Sequence, residues 1–174
     1  MQKVLQINTC TYGSTGKIMQ GIAEAAEAAG YSCSVSVPQG RHYKPVSART
    51  LLIGNRIAED LHLILGYFSG LSGCFSVLST LSFFRKIKKE QIHVLHLHNL
   101  HNCYINIPLL FQFIRKRNIR VIWTLHDCWS FTGHCPYFTM VKCDKWKQAY
   151  SAFPGVRIQN TNNRQLPRLP RFPA

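Results

Sequence analysis

Arg120-Val121-Ile122-Trp123-Thr124-Leu125-His126-Asp127-Cys128-Trp129-Ser130-Phe131-Thr132-Gly133-His134-Cys135-Pro136 is the stretch whose reading decides the fold. Its first five residues make a short apolar strand, which runs straight into a loop holding two His, one Asp and two Cys. In open sheets of parallel strands, ligands sit outside the carboxyl ends of the strands, so polar residues there face a cleft. The same arrangement recurs upstream. Val94-Leu95-His96-Leu97-His98 leads into Asn99-Leu100-His101-Asn102, and Val4-Leu5-Gln6-Ile7 leads into Thr9-Cys10-Thr11-Tyr12-Gly13-Ser14-Thr15-Gly16-Lys17. Three strand ends carrying hydrogen-bonding residues predict a binding site along one edge of a sheet.

Helical periodicity fills the intervals. After the first strand (3–8), Ser14 or Thr15 can cap a helix carrying Ile18, Met19, Ile22, Ala25, Ala26 and Ala29, stopped by Gly30. A strand over 32–37 ends at Pro38-Gln39-Gly40, and a basic loop (41–45) follows. Residues 49–84 read as helical, with a basic continuation. A further helix starts at Asn106, has Pro108 just inside, carries Leu109, Leu110, Phe113 and Ile114, and closes at Asn118. Strands alternating with helices predict the α/β class: a single Rossmann-like parallel sheet with helices on both faces, over 1–146. Residues 147–174 lose all periodicity, are rich in Pro and Arg, and read as an irregular tail.

Composition narrows the function classes. A chain of 174 residues builds one well-buried domain. Its 21 basic against 7 acidic residues, a net charge of +14, imply an anionic partner: nucleic acid, acidic headgroups or a phosphorylated substrate. Nucleic acid is the least favoured of these, because no reading helix, aromatic platform or zinc finger is recognisable. Seven Cys without an apolar leader ahead of the first strand predict reduced thiols and a cytoplasmic protein. Residues 61–84 contain no Asp, Glu, Lys or Arg, but Gly and Ser dilute them, and Gly70-Leu71-Ser72-Gly73 breaks them into two short helices. Arg85, Lys86, Lys88 and Lys89 follow at once, a pairing of apolar and basic surface that suits peripheral contact with an anionic membrane.

Each motif has two readings. Gly13 to Lys17, between a strand and a helix, is either a tight turn or a phosphate-proximal loop, since helix starts attract phosphate. It matches neither the P-loop nor the dinucleotide fingerprint. His96 and His98 share a strand face, and with His101 they could hold a metal. No carboxylate lies nearby in sequence, which favours hydrogen-bonding roles. Cys128, Cys135 and Cys143 are too widely spaced for a compact zinc knuckle and read as isolated thiols.

Taken in order, the Gly-Ser-Thr-Gly-Lys turn, the run His96-Leu97-His98-Asn99-Leu100-His101 with Tyr104-Ile105-Asn106, and the Trp123 to Cys135 stretch resemble the amino-terminal half of bacterial family 4 glycosyltransferases. The resemblance runs from residue 1 to about residue 146, and is nearest to the members that build capsular, exopolysaccharide or O-antigen sugars. It implies one half of a GT-B enzyme, the acceptor-binding half, acting with retention of configuration. A nucleotide-sugar is then the co-substrate, with no resident cofactor and no obligatory metal. It also implies residue roles. Gly13, Ser14, Thr15, Gly16 and Lys17 lie near the donor diphosphate, and Gly16 lets it approach the backbone. His126 lies beside the transferred sugar. His98, Asn99, His101, Asn106, Asp127, Trp129, Thr132 and His134 face the cleft, where a glycan or lipid-linked glycan acceptor would bind.

The chain departs from the family pattern after Trp146, where relatives continue with a second Cys pair, and the tail is unlike the family, as a truncation or change of reading frame would produce. No Glu-x7-Glu donor element is present. The expectation is a folded domain that does not catalyse transfer alone. A non-catalytic binder of lipid-linked glycan is the alternative, with a basic nucleic-acid-binding domain behind it.

Overall fold

The structure, a computed structural model, describes residues 1–40, 43–46, 48–132, 136–140 and 142. The strands are β1 (Lys3–Ile7), β2 (Ser32–Pro38), β3 (Arg49–Ile53), β4 (Val94–Leu97) and β5 (Arg120–Trp123). Between them run α1 (Gly13–Ala28), α2 (Arg56–Ser69), α3 (Val77–Lys88) and α4 (Ile107–Arg117), and a short α5 (Trp129–Thr132) follows β5. The sheet order is β3-β2-β1-β4-β5, with every pairing parallel. The α/β class with one parallel sheet, read from strand–helix alternation, is the fold observed.

The order carries a topological consequence. From β1 the chain steps outward to β2 and β3, then returns to place β4 on the other side of β1. Crossovers between parallel strands are right-handed, so helices following steps in opposite directions cover opposite faces. Met19 and Ala23 of α1 accordingly pack on Cys33, Val35 and Val37, the β2 face in register with Val4 and Gln6. The opposite face holds Leu5, Ile7, Leu95 and Leu97, all buried. There Trp123, in register with Leu97, meets Phe111 of α4 at 5.8 Å between ring centroids. The reversal of strand order puts the crevice between the carboxyl ends of β1 and β4.

Two local outcomes differ from the sequence expectation. Residues 49–53, expected to be helical, form the edge strand β3, because Thr50-Leu51-Leu52-Ile53 pairs along β2 and Gly54-Asn55 stops it. Asn55 then caps α2, its side chain accepting from the Ala58 amide at 2.9 Å. Helix α1 starts earlier than expected: its N-cap is Tyr12, with no side-chain cap bond, so neither Ser14 nor Thr15 caps it. Other expectations held. Gly70 ends α2 in a left-handed conformation, splitting the apolar segment into two helices. Asn106 caps α4, with Asn118 left-handed at its end. Among the described residues no helix is long and apolar enough to cross a membrane.

Helix α2 is tied down through polar contacts of its one buried side chain. His62, its one buried residue, accepts the Gly73 amide at Nε2 (3.2 Å) and donates from Nδ1 to the Ser76 hydroxyl (2.7 Å). Ser76 in turn donates to the Cys103 carbonyl at 3.3 Å. Burial pushes the His62 pKa down to about 4, so the ring is neutral and this donor–acceptor order is kept.

The chain divides into two compact units, Met1–His126 and Asp127–Ala174. In the second, the Asp127 carboxylate accepts the Trp129 amide at 2.9 Å and so starts α5, while the Cys128 amide donates to the Pro136 carbonyl at 2.9 Å. The expected tail, 147–174, lies outside the described residues.

Both turn glycines have structural causes. Gly13 has a φ of +71°, a conformation side chains rarely adopt. At Gly16 a Cβ would overlap the Thr11 carbonyl carbon and lie 2.8 Å from its oxygen. The space on the Cβ side of Gly16 is thus filled by the β1–α1 loop itself. Gly21, in the same helix, has nothing within 4 Å of a Cβ. Gly16→Ala should therefore lose about 1–3 kcal/mol by overpacking, whereas Gly21→Ala should gain up to about 1 kcal/mol from helix propensity. Urea melts of the two variants check this. A Gly16→Ala protein as stable as the parent would refute the packing argument.

Candidate functional site

The register places a line of polar groups across the crevice. Gln6 of β1 lies opposite His96 of β4, and His98, Thr124 and His126 continue the same face past the strand ends. Gln6, His96 and His98 are buried, and His126 is half-buried. The His96 and His98 rings stack at 4.3 Å between centroids, and the His98 and His126 rings at 5.2 Å. Backbone bonds hold the frame: the His98 amide donates to Ile7, and the Trp123 indole N–H to the His98 carbonyl, both at 2.9 Å.

The direction of each hydrogen bond from Met19 through Gln6 and His98 to His126 is determined. The Met19 carbonyl can only accept, so the Gln6 Nε2 group faces it, at 2.9 Å. Gln6 Oε1 is left as an acceptor for His98 Nε2–H at 2.9 Å. Burial, with His96 and His126 nearby, pushes the His98 pKa down to about 3, and the ring is neutral. A neutral imidazole protonated at Nε2 offers a lone pair at Nδ1. That lone pair faces His126 Nε2 at 2.9 Å, so His126 is the donor there. In the singly protonated form of the His126 ring, the lone pair is then on Nδ1. A residue in the first strand thus fixes which nitrogen of His126 is basic.

The other expected site residues differ in their surroundings. His98 is a positioning group, with both nitrogens engaged inside the fold. Asn106 is buried and fully used as a cap: its carbonyl accepts the Leu109 amide at 2.9 Å, its amide donates to Cys74, and its backbone N–H reaches the Thr80 hydroxyl at 2.8 Å. Asn99 offers its carbonyl to the buried Tyr104 hydroxyl at 2.7 Å, and burial raises the pKa of that phenol well above its usual range. His101 is half-buried. Asp127, Trp129 and Thr132 belong to the second compact unit, and His134 lies outside the described residues. Nor do the imidazoles converge on one point. His96 Nε2 turns to the Thr124 hydroxyl at 2.8 Å, and among the described residues no group of three ligands could hold a metal ion.

On the β1 side, Gly13 and Ser14 are exposed in the first turn of α1, whose leading N–H groups lack intrahelical acceptors. Thr15 is half-buried, its hydroxyl 3.6 Å from the Cys10 thiol, Gly16 is buried, and Lys17 is exposed. No acidic residue occupies that turn. Lys44 comes to it from across the sheet. Its backbone N–H and carbonyl both bond the Thr11 hydroxyl (2.8 and 2.7 Å), and its ammonium lies 4.7 Å from the Tyr12 ring centroid.

Sequence reasoning did not single out Gln6 or Lys44. A signal for Gln6 was present: an amide inside an apolar strand needs buried partners. Lys44 was visible only as one member of a basic loop.

The chain matches no protein-family model and no curated protein. Among solved structures it is similar to Phytolacca americana UGT2 complexed with UDP-2fluoro-glucose and pterostilbene, with a TM-score of 0.46 and 11% identity. The similarity covers 90% of this chain and 38% of that one, so the chain spans well under half the length of that protein.

Two of the buried histidines, His62 and His98, make stability depend strongly on pH. His62 and His98 are neutral in the fold, whereas in an unfolded chain they charge below about pH 6.5. The unfolded chain therefore binds more protons as pH falls from that value toward about 4, and stability drops through this window. At about pH 5 each histidine should cost roughly 2 kcal/mol relative to about pH 7.5. Urea midpoints measured at both values test this. Equal midpoints would contradict the burial of neutral rings.

Proposed function

We propose that this chain is the acceptor-binding half of a nucleotide-sugar-dependent, retaining glycosyltransferase of bacterial surface-polysaccharide synthesis. The observation that carries this reading is His126, held at the carboxyl edge of the sheet by His98 and Gln6 with its Nδ1 lone pair defined. A neutral imidazole of fixed tautomer accepts a hydrogen bond from a sugar hydroxyl and holds that hydroxyl in one orientation. Orientation of this kind is what glycosyl transfer requires, because the acceptor oxygen must meet the anomeric carbon at near-attack distance. Asn99 and His101, in the segment that follows β4, are further polar contacts for a glycan or lipid-linked glycan in this reading.

The donor end of the reaction needs positive potential at the departing diphosphate. The exposed start of α1, free of acidic residues, with Lys17 and Lys44 nearby, supplies it. In this reading Gly13 and Ser14 are the contacts, and Gly16 serves packing alone. No resident cofactor is invoked. A cytoplasmic location agrees with a nucleotide-sugar donor.

The test is an NMR titration of the chain, with amide and imidazole signals assigned. Soluble lipid-linked mono- and disaccharides form one arm, and UDP-, GDP- and dTDP-sugars the other. The expected result is saturable shifts at His98, Asn99 and His126 with one saccharide, and at Gly13 to Lys17 with one nucleotide-sugar. His126→Ala should weaken the saccharide about tenfold, as loss of one good hydrogen bond does. If neither arm perturbs these residues, or an oligonucleotide saturates them instead, the reading fails.

A further inference from the structure

Helix α2 faces the wrong way for a helix of a soluble domain. Its inner side carries Ala58, Glu59, His62 and Gly66, of which only His62 is buried. Its outer side carries Ile57, Leu61, Ile64 and Phe68, spaced i, i+4, i+7 and i+11 and therefore on one stripe. These four are 79%, 54%, 52% and 75% exposed. Apolar residues singly on a surface need no explanation, but a contiguous stripe marks an interaction site.

Helix α3 continues the pattern and adds charge. Its buried side is Thr80, Phe83, Phe84 and Ile87, with Phe84 stacked on Phe113 of α4 at 4.3 Å. The exposed side begins with Leu78, which is 82% exposed, and Leu81. Arg85 and Lys88 follow on that same side, at i+7 and i+10 from Leu78, and Lys89 adjoins them. The two helices are consecutive and are fastened together through the His62–Ser76 contact. The two consecutive helices thus both expose large apolar side chains, and α3 ends in exposed cations.

Charge selects the occupant. A second copy of this chain would bring a net charge of +14 against +14. Residues 145–174 hold no Asp or Glu and several Lys and Arg, so they are poorly matched to a basic surface. A bilayer containing acidic phospholipid offers both an apolar interior for the leucine, isoleucine and phenylalanine side chains and negative headgroups for the cations. We propose that α2 and α3 form a docking surface for an anionic membrane. Ile57, Leu61, Ile64 and Phe68 enter the acyl boundary, and Arg85, Lys88 and Lys89 lie on the headgroups. This surface stands independently of the glycan site, since none of its residues takes part in the Gln6–His98–His126 line.

Co-sedimentation of the whole chain with vesicles tests it. Vesicles of phosphatidylcholine alone are compared with vesicles that also contain phosphatidylglycerol, at low and at high salt. Binding is expected only with phosphatidylglycerol, and is expected to weaken as salt rises. Arg85→Gln with Lys88→Gln should lower the partition coefficient roughly 25-fold, at about fivefold per basic residue. Ile64→Ser with Phe68→Ser should abolish binding while leaving the thermal melt unchanged, as both side chains are exposed. Equal binding to both vesicle types, or none to either, would overturn the proposal. So would self-association, seen by light scattering, that Phe68→Ser removes, because a second copy would then be what covers the face.

Discussion

Gln6 donates to the Met19 carbonyl, and the direction of the hydrogen bonds through His98 to His126 follows from that bond. A backbone carbonyl inside a helix cannot donate, so the Gln6 amide has one allowed orientation. His98 must then donate from Nε2 and accept at Nδ1, and His126 must donate from Nε2. The line also crosses the one place in the sheet where strand order reverses, tying β1 to β4 and to the segment after β5. It serves two purposes at once. It satisfies buried polar groups that would each cost about 1–3 kcal/mol if unpaired, and it defines a basic atom at the carboxyl edge of the sheet.

Low pKa values for His62 and His98 express the same constraint. Each ring accepts a hydrogen bond at one nitrogen, from the Gly73 amide or from His126, and protonating that nitrogen removes the acceptor. Burial and hydrogen-bond polarity therefore act together to hold the neutral form. The cost appears as acid sensitivity. The benefit is that these hydrogen bonds fix both the α2 attachment and the orientation of His126.

Much of the fold was legible because its signals are local. Short apolar runs ending in polar residues marked β1, β4 and β5, while Asn106 with Pro108, and Gly70 with Gly73, marked helix boundaries. β3 was missed because Thr50-Leu51-Leu52-Ile53 is an apolar run adjoining a long helical pattern, and only its pairing along β2 decides between the two states. The site was legible in part. His98 and His126 stood at strand ends, where polar residues draw notice, but their linkage depends on register between strands more than ninety residues apart, as the Gln6–His98 separation of 92 shows. The resemblance implied that Gly16 lies near the donor diphosphate and Asn106 on the cleft. In three dimensions Thr11 explains one and the α4 cap explains the other.

The central claim is that His126 carries its proton on Nε2 because Gln6 and His98 oblige it to. Long-range proton–nitrogen correlation on the uniformly labelled chain, near neutral pH, reads the tautomer of each imidazole directly. The account predicts protonated Nε2 and unprotonated Nδ1 for both His98 and His126, with His98 still neutral when the solution is brought to about pH 5. In Gln6→Leu, which removes the acceptor for His98 Nε2–H, the His126 signals should shift toward the mixed tautomers of an unconstrained ring. A His98 protonated at Nδ1, or a His126 whose tautomer is indifferent to Gln6, would contradict it.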